Sequence, residues 1–485
     1  MRPARTFNLF GTLAAATLLI NSSTLSSALA ATQDAKYTVV GTPTELGLAG
    51  YANILCGAVF ISGRDPNDAA KQSAYWMMPR DEQDKVAWTV ERAEKLVRAS
   101  LGGITREARF FGDQGCIIQP PHAQGHTGIH FTPVAVRTAL PGAMSQPWPM
   151  GDRPDTTPIA PEIDRAKLDA AVNAAFADPD ALTAAFLVVY KGHIIAERYM
   201  TGVTKDTQLE SWSMGKSIIS TLFSLLVGDG TYSLEQRVPI PAWRASDDLR
   251  STIRNIDLLH MSGGLKFAGN QEPGGAAANQ AYPDHYFVYT GAVNAFEYSI
   301  NRPSQYPPNT DGRYRNCDPM TIGYLIEQAV KKRGEEYLTW PQRALFDRIG
   351  IRRQVMETDP YGNILLTGYD YGTARNWARL GLLYEQDGVW QGKRILPEGW
   401  TAFVSTLAPA WKRPVYGGLF WINGDGAWNL PKDVYLMAGA GGQNTFVVPS
   451  HHLVIVRMGH FRGAGAGRRT LNAALINLME AVPKS

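Results

Sequence analysis

Charge in excess and cysteine are both scarce in this chain: 485 residues carry a formal net charge of only +3 and three cysteines. No Lys/Arg run forms a basic stripe, so a nucleic-acid partner is not expected. After the first thirty residues no stretch holds eighteen uninterrupted apolar residues, and no stable membrane span is expected. A Gly-x-Ser-x-Gly elbow is absent, which removes the α/β-hydrolase architecture. Gly215-Lys216-Ser217 ends like a phosphate loop, but the leading glycine would fall at position 210, which is Glu210. That loop would lack backbone room to cradle phosphates. No internal repeat is visible.

What the chain does have is material for a core: 45% hydrophobic and 19% charged residues, a globular balance. Residues 1–30 read as a secretory signal. Arg2 and Arg5 make a positive start, Phe7 to Ile20 is mostly apolar, and Ala28-Leu29-Ala30 offers the small residues of a cleavage site. A mature protein starting near Ala31, exported to the periplasm or the extracellular medium, is the expectation. Export puts the cysteines in an oxidising compartment. Three pairings are open, of which Cys56–Cys116, within one N-terminal segment, is the expected disulfide; Cys317 lies far away.

Four stretches organise the chain: the signal at 1–30, an N-terminal extension at 31–139, a Pro-rich linker at 140–162 and a main domain at 163–485. In the extension, Ala58-Val59-Phe60-Ile61 suggests a strand, and Val86, Val90 and Val97 suggest a helix from about Asp81 to Ser100. Six prolines between Pro141 and Pro161 leave room only for an extended connector. The main domain opens on an amphipathic helix marked by Leu168, Val172 and Phe176. A hairpin pattern follows, 186–190 and 194–199, and a second lies at 445–448 and 453–456. A helical pattern from Leu471 to Met479 closes the chain, and Gly463 to Gly467 reads as a flexible loop. Strands at both ends with helices between them give an α+β class, one antiparallel sheet fed by both ends of the domain.

The densest chemistry lies in Glu210-Ser211-Trp212-Ser213-Met214-Gly215-Lys216-Ser217, followed by a nearly all-apolar helical run ended by Gly228 and Gly230. Positions i and i+3 share a helix face, so Ser213 and Lys216 are neighbours there. A serine hydroxyl needs a base to become a nucleophile, and a lysine serves only if burial depresses its pKa. The backbone N–H of Ser213, at a helix N-terminus, suits a developing oxyanion. Ser-x-x-Lys alone also fits a serine-capped helix with a solvated lysine.

Further patterns in a fixed order extend the motif. Tyr314-Arg315-Asn316 follows about a hundred residues later, then Gly439-Ala440-Gly441-Gly442-Gln443 just before the last hairpin. Leu258 to Leu265 and Ala378 to Leu383 are two supporting phrases. With these the chain, from about Ile163 to Ser485, resembles the β-lactamase-related serine hydrolases: class C β-lactamases, DD-peptidases, esterases and 6-aminohexanoate-dimer hydrolase. The resemblance implies a β-lactamase/transpeptidase-like domain, an antiparallel sheet flanked by helices with an all-helical region. It implies Ser213 acylated, Lys216 relaying its proton, and Tyr314 acting as base and then acid, with a pKa lowered by the Lys216 cation. It also implies Asn316 and Gly442 in substrate binding, and an oxyanion hole from the N–H groups of Ser213 and Gln443. The third element commonly carries Lys or His where Ala440 stands, so low β-lactamase activity is expected.

The reading is therefore an exported serine hydrolase of small-molecule amides or esters, with no cofactor and an open oligomeric state. β-Lactamase or D-alanyl peptidase activity is the alternative, as is a non-catalytic cell-envelope binding protein of the same fold. His122, His126 and His130 recur every four residues, but Gly125, Gly128 and Pro120-Pro121 disfavour a helix there, and no metal site is expected. His451-His452 is expected in a solvated turn, His260 in a hydrogen-bonded core, and Cys317 as a small buried hydrophobe.

Overall fold

The structure is a computed structural model that describes residues 38–121, 128–154, 156–245, 247–269 and 282–484. The signal-like residues 1–30, His122 and His126 lie outside the described residues. Thr42 caps helix α1 (Pro43–Phe60), accepting from the Glu45 N–H, and Pro43 occupies the first turn, where its missing N–H costs nothing. The helix is buried from Leu46 to Val59. The strand expected at 58–61 is thus the last turn of α1, because continuous burial on all sides erases any helical periodicity. Helix α2 (Pro66–Gln72) follows, capped by Asp65.

The helix expected over 81–100 is a hairpin. Strands β1 (Ala87–Glu91), β2 (Leu96–Leu101), β3 (Ile104–Phe110) and β4 (Cys116–Ile118) form an antiparallel sheet in that order, with Val90 opposite Val97. Of the three valines that suggested a helical face, Val90 and Val97 sit on facing strands and Val86 just before β1, and a left-handed residue, Lys95 (φ 52°), turns the chain between the strands. Cys56 of α1 is joined to Cys116 of β4 by a disulfide, with Cα atoms 6.0 Å apart. The described residues of 141–161 hold a short 3₁₀ turn at Ala143–Ser145 and an isolated bridge between Pro147 and Arg153.

Helix α3 (Arg165–Ala175) leads to β5 (Thr183–Tyr190) and β6 (His193–Tyr199). After the two-residue strand β7 (Leu209–Glu210) comes α4 (Gly215–Gly228). The helical region follows: α5 (Asn255–Leu259), α6 (Asp284–Thr290), α7 (Ala295–Ile300) and α8 (Cys317–Lys332). Strands β8 (Val355–Met356) and β9 (Asp370–Gly372) pair with β7 in the order β7-β9-β8, and α9 (Ala374–Glu385) comes next. A short hairpin, β10 (Val389–Trp390) and β11 (Lys393–Arg394), and α10 (Trp400–Ser405) precede the last sheet strands. These are β12 (Trp421–Ile422), β13 (Tyr435–Gly439), β14 (Gln443–Val448) and β15 (Leu453–Gly459), and helix α11 (Ala464–Ala481) ends the fold.

The main sheet is antiparallel with the order β12-β13-β14-β15-β5-β6, so the two ends of the domain meet at the β15–β5 pair. Every residue of β5, β14 and β15 is buried, which explains their unbroken apolar runs. Phe186, Val188, Phe446 and Ile455 pack against Leu168 of α3 and Leu471, Leu475 and Leu478 of α11. Ala464 to Gly467 belong to the first turn of α11 and not to a flexible loop, since Ala466 and Gly467 are buried. Residues 41–121 pack directly on the rest: Ser73 Oγ donates to Glu210 Oε1 at 2.5 Å, and Asn53 Nδ2 to Glu357 Oε2 at 3.0 Å.

Candidate active site

A sharp turn presents Ser213. Trp212 has φ 51°, a left-handed conformation costing a non-glycine residue about 1–2 kcal/mol, and lies in a 3₁₀ turn (Trp212–Met214) that runs into α4. Ser213 is left partly exposed while Trp212 and Met214 on either side are buried. One turn on, Lys216 is 1% exposed, and its Nζ donates to Ser213 Oγ at 2.9 Å and to the Thr367 carbonyl at 2.5 Å. Ser213 Oγ itself donates to the same carbonyl at 3.3 Å. Gly215 makes this convergence possible: a Cβ there would stand 2.2 Å from the Leu366 carbonyl, so any other residue would push the 366–367 segment away.

Burial pushes the Lys216 amine well below its ordinary pKa, opposed by the Asp370 carboxyl. Asp370 is itself pushed well up by burial, against the pull of Ser211, Gln354 and Lys216. Burial thus shifts both groups towards their neutral forms. The Tyr314 hydroxyl lies beside Ser213, and its ring lies 4.9 Å under Lys216 Nζ. The lowered Tyr314 pKa expected from the sequence does not arise. Burial raises it, with the Ser213 hydrogen bond opposing, and the amine sits over the ring face and not beside a phenolate. Trp421 stacks on the same ring at 5.1 Å.

Asn316 is completely buried at the start of α8. Its Nδ2 donates to the His285 carbonyl at 3.0 Å and to Tyr289 Oη at 2.9 Å, and Tyr289 Oη donates to Thr367 Oγ1 at 2.8 Å. The His285 carbonyl fixes which amide atom is the nitrogen. Both amide hydrogens are therefore spent inside the protein, one of them on a chain that ends at Thr367, where the sequence suggested a donor to substrate. His285 is buried and pushed down to about 3 by burial, with Lys216 adding to the effect, so it is neutral.

Strand β13 reaches the nucleophile. A Cβ on Gly439 would lie 2.2 Å from the Ser211 carbonyl and 3.1 Å from the Ser213 nitrogen, an approach only glycine permits. The turn Ala440–Gly442 follows, with Gly441 and Gly442 at φ 80° and 78°. Buried Arg457, pushed down to about 10 by burial, braces the turn, Nη1 donating to the Gly441 and Gly442 carbonyls at 2.9 and 3.1 Å. Gln443 stands opposite Gly439 across this turn, and its side chain exchanges two hydrogen bonds with the Gly459 backbone. Ala440 thus sits in the turn and not on the strand, and β13 (Tyr-Leu-Met-Ala-Gly) carries no cation either. Gly439 and Gly442 line a cleft of about 510 Å³ with Trp421, Leu436, Ala438 and Asn444.

Away from the site, His260 is buried and pushed down to about 4 by burial, the nearby Asp257 opposing. His451 is buried and not solvated, while His452 is exposed, with Nδ1 2.8 Å from Glu385 Oε1. Cys317 is buried beside Asp318. Among the described residues no cluster of potential metal ligands is found, and no helix is long and apolar enough to cross a membrane. Sequence reasoning missed the Thr367 carbonyl, Tyr289 and Asp370, whose places in the site rest on packing across distant segments.

The sequence model of the family described as Beta-lactamase matches residues 168–478. No curated protein matches the chain by sequence. Among solved structures the chain is similar to a penicillin-binding protein homologue from Caulobacter crescentus, at 14% identity and a TM-score of 0.50, over 67% of this chain and 100% of that one. It is similar also to a protein from Bacteroides dorei DSM 17855 assigned as a β-lactamase, at 16% identity and TM-score 0.50, over 65% of this chain and 99% of that one. A protein from Bacillus anthracis assigned as a 6-aminohexanoate-dimer hydrolase matches at 19% identity and TM-score 0.49, over 62% and 78% of the two chains. The fold is the β-lactamase/transpeptidase-like one, with antiparallel sheets and helices.

Proposed function

The chain belongs to the Beta-lactamase family of serine hydrolases, and on that premise we propose that it is an exported enzyme cleaving small amides or esters through a Ser213 acyl-enzyme. Ser213 Oγ attacks the scissile carbonyl and passes its proton to the Lys216–Tyr314 pair. Tyr314 then protonates the leaving group, and a water takes the reverse path to release the acid. Neutral Lys216 and protonated Tyr314 suit this relay, because neither needs a charge in the resting site.

The oxyanion is received by the Ser213 N–H and a second backbone donor on the segment that begins at Gly439. The motif pointed to Gln443, which lies across the turn. The close approach of Gly439 to Ser213 favours the Ala440 N–H, whose nitrogen is bonded to the Gly439 carbonyl carbon. Gly442 lines the cleft beside this donor.

The observation that carries the proposal is the 2.9 Å hydrogen bond between Ser213 Oγ and a lysine that is 1% exposed. A non-catalytic binding protein has no need of a buried, neutral lysine on a partly exposed serine. The lack of a cation on β13 and at Ala440 supports a preference for linear amides and esters over β-lactams. The test is turnover of p-nitrophenyl esters, p-nitroanilides and nitrocefin by wild type and Ser213→Ala. Ester or anilide turnover that vanishes in the variant supports the proposal. Nitrocefin turnover matching that of dedicated β-lactamases would favour the alternative substrate class, and unchanged ester turnover in the variant would favour a binding role.

A further inference from the structure

Residues 41–121 lie outside the matched family region, yet one of their side chains reaches the nucleophile's turn. The Trp76 ring packs edge-on against Trp212, with ring centres 4.3 Å apart, and Trp212 directly precedes Ser213. Trp76 also lies 4.5 Å from the Phe461 ring and 5.7 Å from the Tyr286 ring.

Each of these neighbours adjoins a different part of the site. The Phe461 Cα would stand 3.1 Å from a Cβ on Gly441, so Phe461 backs the turn after β13. Tyr286 adjoins His285, whose ring is 6.1 Å from that of Tyr314. Trp76, Tyr286 and Phe461 are each only half-buried, and with Tyr282 and Met77 they line a groove of about 610 Å³. Among the described residues that line it, Arg80 carries the only charge. That volume suits a small organic moiety, and half-exposed aromatic faces suit an apolar one.

We propose that this groove is the acyl subsite: it receives an uncharged aromatic or long apolar acyl group, and Trp76 is the residue that selects it. The inference rests on the proposed hydrolase reading and adds the substrate class. Tyr314 decides which part of the substrate lies there. As the acid, Tyr314 must face the leaving group, and the Trp421 ring stacked on it lines the cleft beside β13, which shares no lining residue with the groove. The leaving group therefore belongs with Trp421, and the acyl group with Trp76. In the acylation step the Ser213 Oγ–acyl carbon bond forms as the bond from that carbon to the leaving oxygen or nitrogen breaks. The serine proton ends on the leaving group, and the acyl chain stays in the groove until water releases it.

The test compares kcat/KM for p-nitrophenyl 4-phenylbutyrate and p-nitrophenyl acetate in wild type, Trp76→Ala, Trp76→Phe and Phe461→Ala. Losing an apolar contact of this kind lowers specificity by about 10-fold or more. The phenylbutyrate-to-acetate ratio should fall by that factor in Trp76→Ala and Phe461→Ala, mostly through KM, and be largely kept in Trp76→Phe. A ratio that stays within about twofold of wild type in both truncations overturns the subsite. So does a wild-type enzyme with no preference for the larger acyl group. If Trp76→Ala does not fold, Phe461→Ala and Trp76→Phe still decide the ratio. A Ser213→Ala control separates the two claims: acetate turnover that survives it overturns the hydrolase reading and this one with it.

Discussion

Lys216 Nζ lies 2.9 Å from Ser213 Oγ and 2.5 Å from the Thr367 carbonyl, so one carbonyl from a distant loop fixes where the amine points. With that carbonyl occupied on one side, the remaining direction of the amine is the serine.

Burial holds the Lys216 pKa well below its usual value, so activity should rise with pH as Lys216 loses its proton, far below the ordinary lysine range. The kcat/KM–pH profile, which reports the free enzyme, checks this. Lys216→Arg keeps a permanent charge and should lose activity by about 10²–10⁴-fold at every pH. A residual activity within tenfold of wild type would count against the lysine as relay.

Tyr314 is held protonated by burial, and its hydroxyl meets Ser213. Tyr314→Phe should leave Tm nearly unchanged and lower kcat by about 10²–10⁴-fold on amides, whose leaving group needs a proton. The loss should be smaller on p-nitrophenyl esters, which leave as stable anions. Equal losses on both would argue that Tyr314 shapes the pocket without moving a proton.

Asn316 is tied through Tyr289 to the Thr367 segment. Asn316→Ala should therefore lower kcat and shift the acid limb of the pH profile, because the carbonyl under Lys216 is no longer held in place. KM should change little. A rise in KM with kcat intact would instead mean direct substrate contact.

Glu357 is completely buried, accepting from the Cys116 N–H at 2.7 Å and from Asn53 at 3.0 Å, and burial pushes its carboxyl up to about 8. The folded pKa of this acid lies above the unfolded value, about 4.3, so the folded state binds more protons between them. Stability should fall as pH rises from about 4.5 towards 8, and level off above. Thermal unfolding followed from pH 5 to 8 should show Glu357→Gln losing less Tm than wild type. Identical slopes would remove Glu357 as the cause.

Much of this was legible in the sequence where a pattern is local. The i, i+3 spacing of Ser213 and Lys216, the two hairpins of the main sheet and the α3 stripe all follow from residues close in the chain. The failures have physical causes. Residues 58–61 and 81–100 were misjudged because complete burial hides helical periodicity in one and facing valines imitate it in the other. The direction of the Tyr314 shift and the destination of the Asn316 amide depend on what packs around them, which spacing does not encode. Trp76 was invisible for the same reason: nothing local ties it to a serine 137 positions away.

The central claim is that Ser213 is an activated nucleophile. Mass-spectrometric mapping of a fluorophosphonate on wild type, Lys216→Arg and Ser213→Ala tests it most directly. The account predicts label on Ser213, slowed strongly in Lys216→Arg and absent in Ser213→Ala. Label on another residue, or p-nitrophenyl ester turnover unchanged in Ser213→Ala, would contradict it.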